Sequence, residues 1–153
     1  MKREQKSLTN KGFSLVELII VVAIMAVLIG VLAPQYLRYV EKTRLQRDNS
    51  SIAEVANVIK MASAEEAVIT QLAGGAVSYG FDATGMTGVA STALDAEIKA
   101  TITPADVKVT SNTYSTTAPT LTVRINSTNN QIEVEATGWM ETPNAATSTT
   151  KKF

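Results

Sequence analysis

The sequence predicts an α+β fold in which one long N-terminal helix, membrane-spanning in its first half and amphipathic in its second, packs on a small antiparallel β-sheet. Three observations predict it. Between Phe13 and Ala33 the only polar side chains are Ser14 and Glu17, and Leu18 to Ala33 is an unbroken apolar run. From Gln35 to Ala73 there is neither Gly nor Pro, and a composition rich in Ala, Glu, Lys, Arg, Gln and Leu favours continued helix. Beyond Pro104 the apolar period changes to two, the pattern of half-buried strands.

A chain of 153 residues, 45% of them apolar, is enough for one modest core. It has no histidine and no cysteine, which excludes Ser-His-Asp and Cys-His nucleophilic catalysis, imidazole or thiolate metal sites and disulfides. We expect no enzyme, no cofactor and no metal site. The net charge is zero but unevenly placed. Lys2, Arg3, Lys6 and Lys11 face only Glu4 before residue 13, a net +3 that leaves −3 for the remainder. That balance gives no indication of direct nucleic-acid binding, which calls for a clustered basic face.

Residues 1–12 read as a basic leader and residues 13–34 as the membrane segment. The 21 residues from Phe13 to Ala33 reach about 31 Å as a helix, close to the ~30 Å hydrocarbon core. The basic leader belongs on the cytoplasmic side and everything after Pro34 outside, although Arg38, Lys42, Arg44 and Arg47 set a competing basic cluster on the far side. A conventional signal peptide fits poorly. The apolar run exceeds the usual h-region, and the best small-residue site, after Ala33, would put Pro34 directly behind the scissile bond.

Residues 35–73 read as the amphipathic half of the helix, with Ile52, Val55, Ile59, Ala62, Ile69 and Ala73 on one stripe that Glu65-Glu66 interrupts. Unbroken helix from Phe13 to Ala73 would extend about 90 Å. Five glycines mark 74–105 as a connecting loop, with a short helix expected over Thr92 to Ala100. Residues 106–140 carry the strand pattern at Val107 and Val109, at Leu121, Val123 and Ile125, and at Ile132, Val134 and Ala136, with a hairpin over Asn126 to Asn130. The apolar face of that sheet needs cover, and the helix stripe is the sizeable one available. The Ser/Thr-rich tail, 141–153, is expected to have little order.

The junction Lys11-Gly12-Phe13-Ser14-Leu15-Val16-Glu17-Leu18, followed by the apolar run and Pro34, resembles the type IV prepilin signal. Gly before the cut, Phe after it, Glu as the fifth mature residue and a basic leader without its own apolar core are all present. The resemblance implies that an aspartyl prepilin peptidase cleaves between Gly12 and Phe13 and N-methylates Phe13. It also implies that Glu17 serves assembly by pairing with the terminal amine of a neighbouring subunit's Phe13, and that the helix kinks or unwinds around Gly30 and Pro34.

The implied function is that of a structural subunit of a type IV pilus filament, anchored in the membrane by one pass before assembly and exposed at the cell surface afterwards. Its partners would be further copies of itself in a helical homopolymer, the peptidase, the assembly machinery in the membrane, and membrane lipid. Two alternatives stand beside it: a minor pilin or a pseudopilin of a competence or type II secretion system, and a monomeric membrane-anchored binding module with the sheet as platform. The sequence departs from the resemblance in lacking the Asp-rich calcium loop of major pseudopilins and the cysteine pair that frames the C-terminal loop of many pilins.

Five features have simpler readings as well. A carboxylate in an apolar segment costs about 2.5–3.5 kcal/mol, which Glu17 can avoid by lying at the membrane edge and near a helix N-terminus. Pro34 suits a membrane-exit kink. Tyr36 and Tyr39 suit an interfacial aromatic belt rather than a conductive path. Asn49-Ser-Ser and Asn126-Ser-Thr match the N-glycosylation triplet but read as surface, and Glu65-Glu66 and Glu133/Glu135 read as solvated carboxylates.

Overall fold

The computed structural model describes residues 12–88, 92–143 and 147–153, which divide into two compact units at Leu37 and Arg38. Helix α1 covers Leu15–Ala62. Within the first unit its residues are all exposed, apolar ones included: Ile24 is 55% and Leu32 59% accessible. This is the one helix among the described residues long and apolar enough to cross a membrane, and none of its most apolar 18-residue stretch is buried.

The second unit begins at Arg38 and folds around the rest of α1. Leu45, Ile52, Val55, Ala56, Ile59 and Ala62 turn one face of the helix into a common core, with the three- and four-residue spacing of an apolar stripe. Helix α2 is Glu66–Ala73 and α3 is Ala93–Thr101. The strands are β1 Val77–Asp82, β2 Gly85–Thr87, β3 Thr120–Ile125, β4 Ile132–Trp139 and β5 Thr149–Lys152. They form one antiparallel sheet in the order β2-β1-β3-β4-β5. Tyr79, Leu121 and Ala136 stand opposite one another across β1, β3 and β4, and all three are buried. The other face carries Arg124, Glu133, Glu135 and Lys152, which pair with one another at 2.9–3.8 Å. The fold is α+β, a long helix on a small antiparallel sheet.

The helix expected to run to Ala73 is broken after Ala62. Ala64 N donates to Met61 O and Glu65 N to Ala62 O, tightening the last turn, while Ser63 Oγ bonds back to Ile59 O at 2.6 Å. The break resets the rotation of the next helix. Val68 and Leu72 are buried in α2, whereas the stripe residues Ile69 and Ala73 are exposed. Glu65 and Glu66 are exposed at the break, as solvated carboxylates.

The glycine-rich stretch read as loop holds β1 and β2. Gly80 lies beside Thr87, where a Cβ would meet Thr87 Oγ1 at 2.7 Å, and Gly85 takes φ +140° where a Cβ would come within 2.6 Å of the Pro104 carbonyl oxygen. These glycines permit close approach within the sheet region rather than looseness. The Asp82 carboxylate closes the hairpin by accepting from Thr84 N, Thr84 Oγ1 and Gly85 N. Those bonds hold its pKa below the ordinary carboxylate value.

The expected short helix is present as α3. Thr92 and Asp95 form its capping box, and buried Asp95 accepts from the Tyr79 hydroxyl at 2.7 Å. Burial and the Asp95 carboxylate push the Tyr79 phenol far above its usual pKa. The Asn126 to Asn130 hairpin is also present, closed by Asn126 N to Gln131 O at 2.8 Å with Asn130 at φ 55°.

Val107 and Val109 are buried but lie outside any strand. A 3-10 turn at Pro104–Asp106 precedes them, and the backbone donors of Thr110, Ser111 and Thr113 go to two carboxylates of α1 instead of a neighbouring strand. Asp48 accepts from Thr110 N and Ser111 N, both at 2.7 Å, and from Thr110 Oγ1 at 3.1 Å. Two turns earlier, Glu41 accepts from Ser111 Oγ at 2.5 Å, Thr113 N at 3.0 Å and Thr113 Oγ1 at 3.1 Å. Burial pushes the Glu41 carboxyl up, but the bonds from Ser111 and Thr113 outweigh it and leave its pKa below the ordinary value.

The tail contributes β5, which pairs with β4, and Phe153 meets Trp139 edge-on at 5.5 Å with Lys151 4.7 Å above the indole. This aromatic and cationic packing is absent from the alternation pattern because β5 is exposed throughout. Since the sheet's cover comes from residues after Arg38, a chain starting at Arg38 is expected to be soluble and folded. Far-UV circular dichroism should show mixed helix and strand, and a spectrum without strand would contradict this packing.

Candidate processing and assembly segment

Three of the expected site residues stand at the start of α1. Gly12 and Phe13 lie just before the helix, and Glu17 falls in its first turn. Leader residues 1–11 lie outside the described residues. A Cβ at Gly12 would meet no atom within 4 Å, and Phe13 is 90% exposed. Among the described residues nothing requires glycine at 12, and Gly12 and Phe13 are both exposed.

Ser14 is the residue before the helix, and Leu18 N donates to its carbonyl at 3.2 Å. Its own N–H donates to Glu17 Oε2 at 2.9 Å. That is the carboxylate half of a capping box, satisfying one donor of the helix start and placing negative charge near its positive end. The Ser14-Leu-Val-Glu17 spacing is the signal for this bond, and reading Glu17 only as a membrane-edge or assembly residue misses it.

Gly30 and Pro34 lie one turn apart, about 20 and 26 Å along the helix from Glu17. The helix continues through both, with Pro34 inside it. Proline has no N–H and its ring crowds the carbonyl four residues earlier, and that carbonyl belongs to Gly30. A Cβ at Gly30 would also meet open space, so the local backbone is weakened at one turn without being broken. Tyr36 and Tyr39 are 66% and 71% exposed.

The glycosylation triplets are occupied by structure. Asn49 Nδ2 donates to Met140 O at 2.7 Å and its Oδ1 accepts from Tyr114 Oη. Asn126 Nδ2 donates to Glu133 Oε1 at 2.7 Å and its Oδ1 accepts from Thr128 N. Glu133 and Glu135 belong to the ion-pair network with Arg124 and Lys152.

Residues 8–33 match the family model described as the prokaryotic N-terminal methylation motif. No curated protein and no solved structure matches the chain. The matched stretch contains Gly12, Phe13, Glu17 and Gly30 and ends one residue before Pro34. The chain thus carries a prepilin signal of the kind found in type IV pilin-like and pseudopilin-like proteins, which suggests a structural role rather than an enzymatic one.

Proposed function

We propose that this chain is a structural subunit of a type IV pilus filament, cleaved between Gly12 and Phe13, N-methylated on Phe13 and assembled through the exposed half of α1. The observation that carries the reading is the coincidence of the methylation motif, residues 8–33, with a helical stretch none of which is buried. Before assembly, lipid covers that apolar surface. In the filament, the same surface is covered by the equivalent segments of neighbouring copies, so the exchange keeps apolar area out of water throughout.

Leader removal matters physically because it replaces a peptide bond with a cationic terminal amine beside the apolar segment. Glu17, four positions on, supplies the opposite charge for the amine of a neighbouring copy. Pro34 leaves the Gly30 carbonyl without its helical donor, which lowers the cost of unwinding the turn between them as packed helices slide.

Shearing cells that express the chain and analysing the filament protein by N-terminal mass spectrometry tests cleavage, methylation and assembly together. The expected chain begins at N-methylated Phe13. A mature chain that keeps residues 1–12 or begins at Pro34 would overturn the processing step, and presence at only trace levels in filaments would make it a minor pilin.

A further inference from the structure

We infer that Arg38, Lys42, Arg44 and Arg47 form a cationic collar that holds anionic phospholipid headgroups while the chain is membrane-anchored; this rests on the anchored stage of the proposed function. The four cations stand on the side of the apolar run that must be exported, where basic residues weigh against the required orientation. All four side chains are exposed. The ion pairs among the described residues join Arg124 and Lys152 to Glu133 and Glu135, and none involves the four. The two acids within the same stretch, Glu41 and Asp48, are turned away and committed to residues 110–113.

The arrangement around the helix favours a lipid surface over a second copy of the chain. Arg38 and Lys42 lie on one flank of the face that buries Leu45 and Asp48, and Arg44 and Arg47 lie on the other. At about 100° per residue, members of one flank stand roughly 120–180° around the helix from members of the other. One neighbouring protein surface cannot meet both, whereas headgroups surround a helix that emerges from a bilayer. Along the sequence, Arg38 and Lys42 follow Ala33 by five and nine residues, and Arg44 and Arg47 by eleven and fourteen. Helical side chains lean toward the N-terminus, which here is the membrane end. The nearer pair therefore reaches the headgroup layer, and the farther pair acts through a field that decays over about 8 Å.

The recognised chemistry is a phosphodiester monoanion. The test reconstitutes the full chain in vesicles of phosphatidylcholine and phosphatidylglycerol and uses spin-labelled versions of each lipid to measure which is immobilised at the protein. At low salt the labelled phosphatidylglycerol should be favoured at least about threefold, since one surface cation is worth up to about fivefold. The combined variant Arg38→Gln, Lys42→Gln, Arg44→Gln, Arg47→Gln, in which all four changed side chains are exposed, should lose most of that preference. The leader cations are common to both chains, so the difference between them reports the collar. The double variant Arg38→Gln, Lys42→Gln should account for the larger share.

An unchanged preference in the fourfold variant, with its circular dichroism intact, would overturn the inference. So would a preference erased by inorganic phosphate but not by sodium chloride of equal ionic strength, which would indicate a site for a small anion. Unchanged lipid selectivity with filaments lost would assign the cations to contacts between copies. Immobilisation of neither lipid would overturn the inference together with the membrane-anchored stage, whereas immobilisation of both without preference would overturn the inference alone.

Discussion

Replacing Glu17 by alanine is expected to leave the chain inserted and processed but to strip the cell surface of filaments. Loss of the carboxylate makes the segment more apolar, so insertion should persist or improve, and the bond between Gly12 and Phe13 keeps its flanking residues. Assembly is where the loss falls. Without Glu17 the amine of an incoming Phe13 enters an apolar core unpaired, and an uncompensated buried charge costs about 3–5 kcal/mol, or roughly two to three and a half orders of magnitude in each addition equilibrium. The bond from Ser14 N to Glu17 Oε2 adds a competing account, in which the carboxylate simply caps its own helix. Removing a cap costs only about 0.5–2 kcal/mol, and glutamine separates the two. Glu17→Gln keeps an oxygen that can accept from Ser14 N but carries no charge, so it should restore filaments if capping is the whole role and fail to restore them if charge pairing drives assembly. The measurement is sheared filament protein from cells with no unmutated copy, alongside processed protein in the membrane. Wild-type amounts of filament from Glu17→Ala would rule out the pairing while leaving the pilin reading in place.

What could be read from the sequence was what repeats. The apolar run before Pro34, the Ile52, Val55 and Ile59 stripe, and the alternation of Leu121, Val123, Val134 and Ala136 each keep one period long enough to show. Elements that depend on single side chains were hidden. Strand β1 carries Gly80 and ends at Asp82, residues that ordinarily punctuate loops, and β5 exposes all four of its residues. The stripe lost its phase at Ser63 because three residues of tightened turn rotated α2 relative to the preceding helix. In the candidate segment, the signal as a whole is legible and the family model matches it over residues 8–33, while the roles of Gly12, Phe13, Glu17 and Pro34 rest on the resemblance alone. The bond from Ser14 to Glu17 was also within reach of the sequence, because a serine three residues before a glutamate at a helix start is a local pattern. The destination of Asp48 was not, since its partners lie 62 and 63 positions away.

Asp48→Ala is expected to destabilise the sheet-bearing unit strongly. The side chain is 1% exposed and accepts two backbone N–H bonds and one hydroxyl bond from a segment with no strand neighbour to take them. Alanine leaves Thr110 N and Ser111 N without their acceptor. Ser111 is buried, so orphaning its N–H costs about 1–3 kcal/mol, whereas exposed Thr110 can turn its N–H to water and adds less, giving a combined loss of about 2–4 kcal/mol against a total domain stability of about 5–15 kcal/mol. For a unit of this size that corresponds to a fall in Tm on the order of 10–20 °C. Asp48→Asn retains a carbonyl acceptor for part of the set and should lose about half as much. Amide hydrogen exchange supplies the local readout: Thr110, Ser111 and Thr113 should exchange faster, while the β3 and β4 pairing around Val123 and Val134 stays protected until global unfolding. Glu41 makes the same fastening pH-dependent. Its pKa is lowered in the fold, so its contribution is fully present above the unfolded value near 4.5 and is lost as the pH falls through the lower folded value. Acidification through that window should loosen residues 111–113 in the parent chain, and Glu41→Gln should remove that component of the pH dependence. A Tm for Asp48→Ala within about 2 °C of the parent, or unaltered exchange at Thr110 and Ser111, would show that the carboxylate does not hold this segment to the helix.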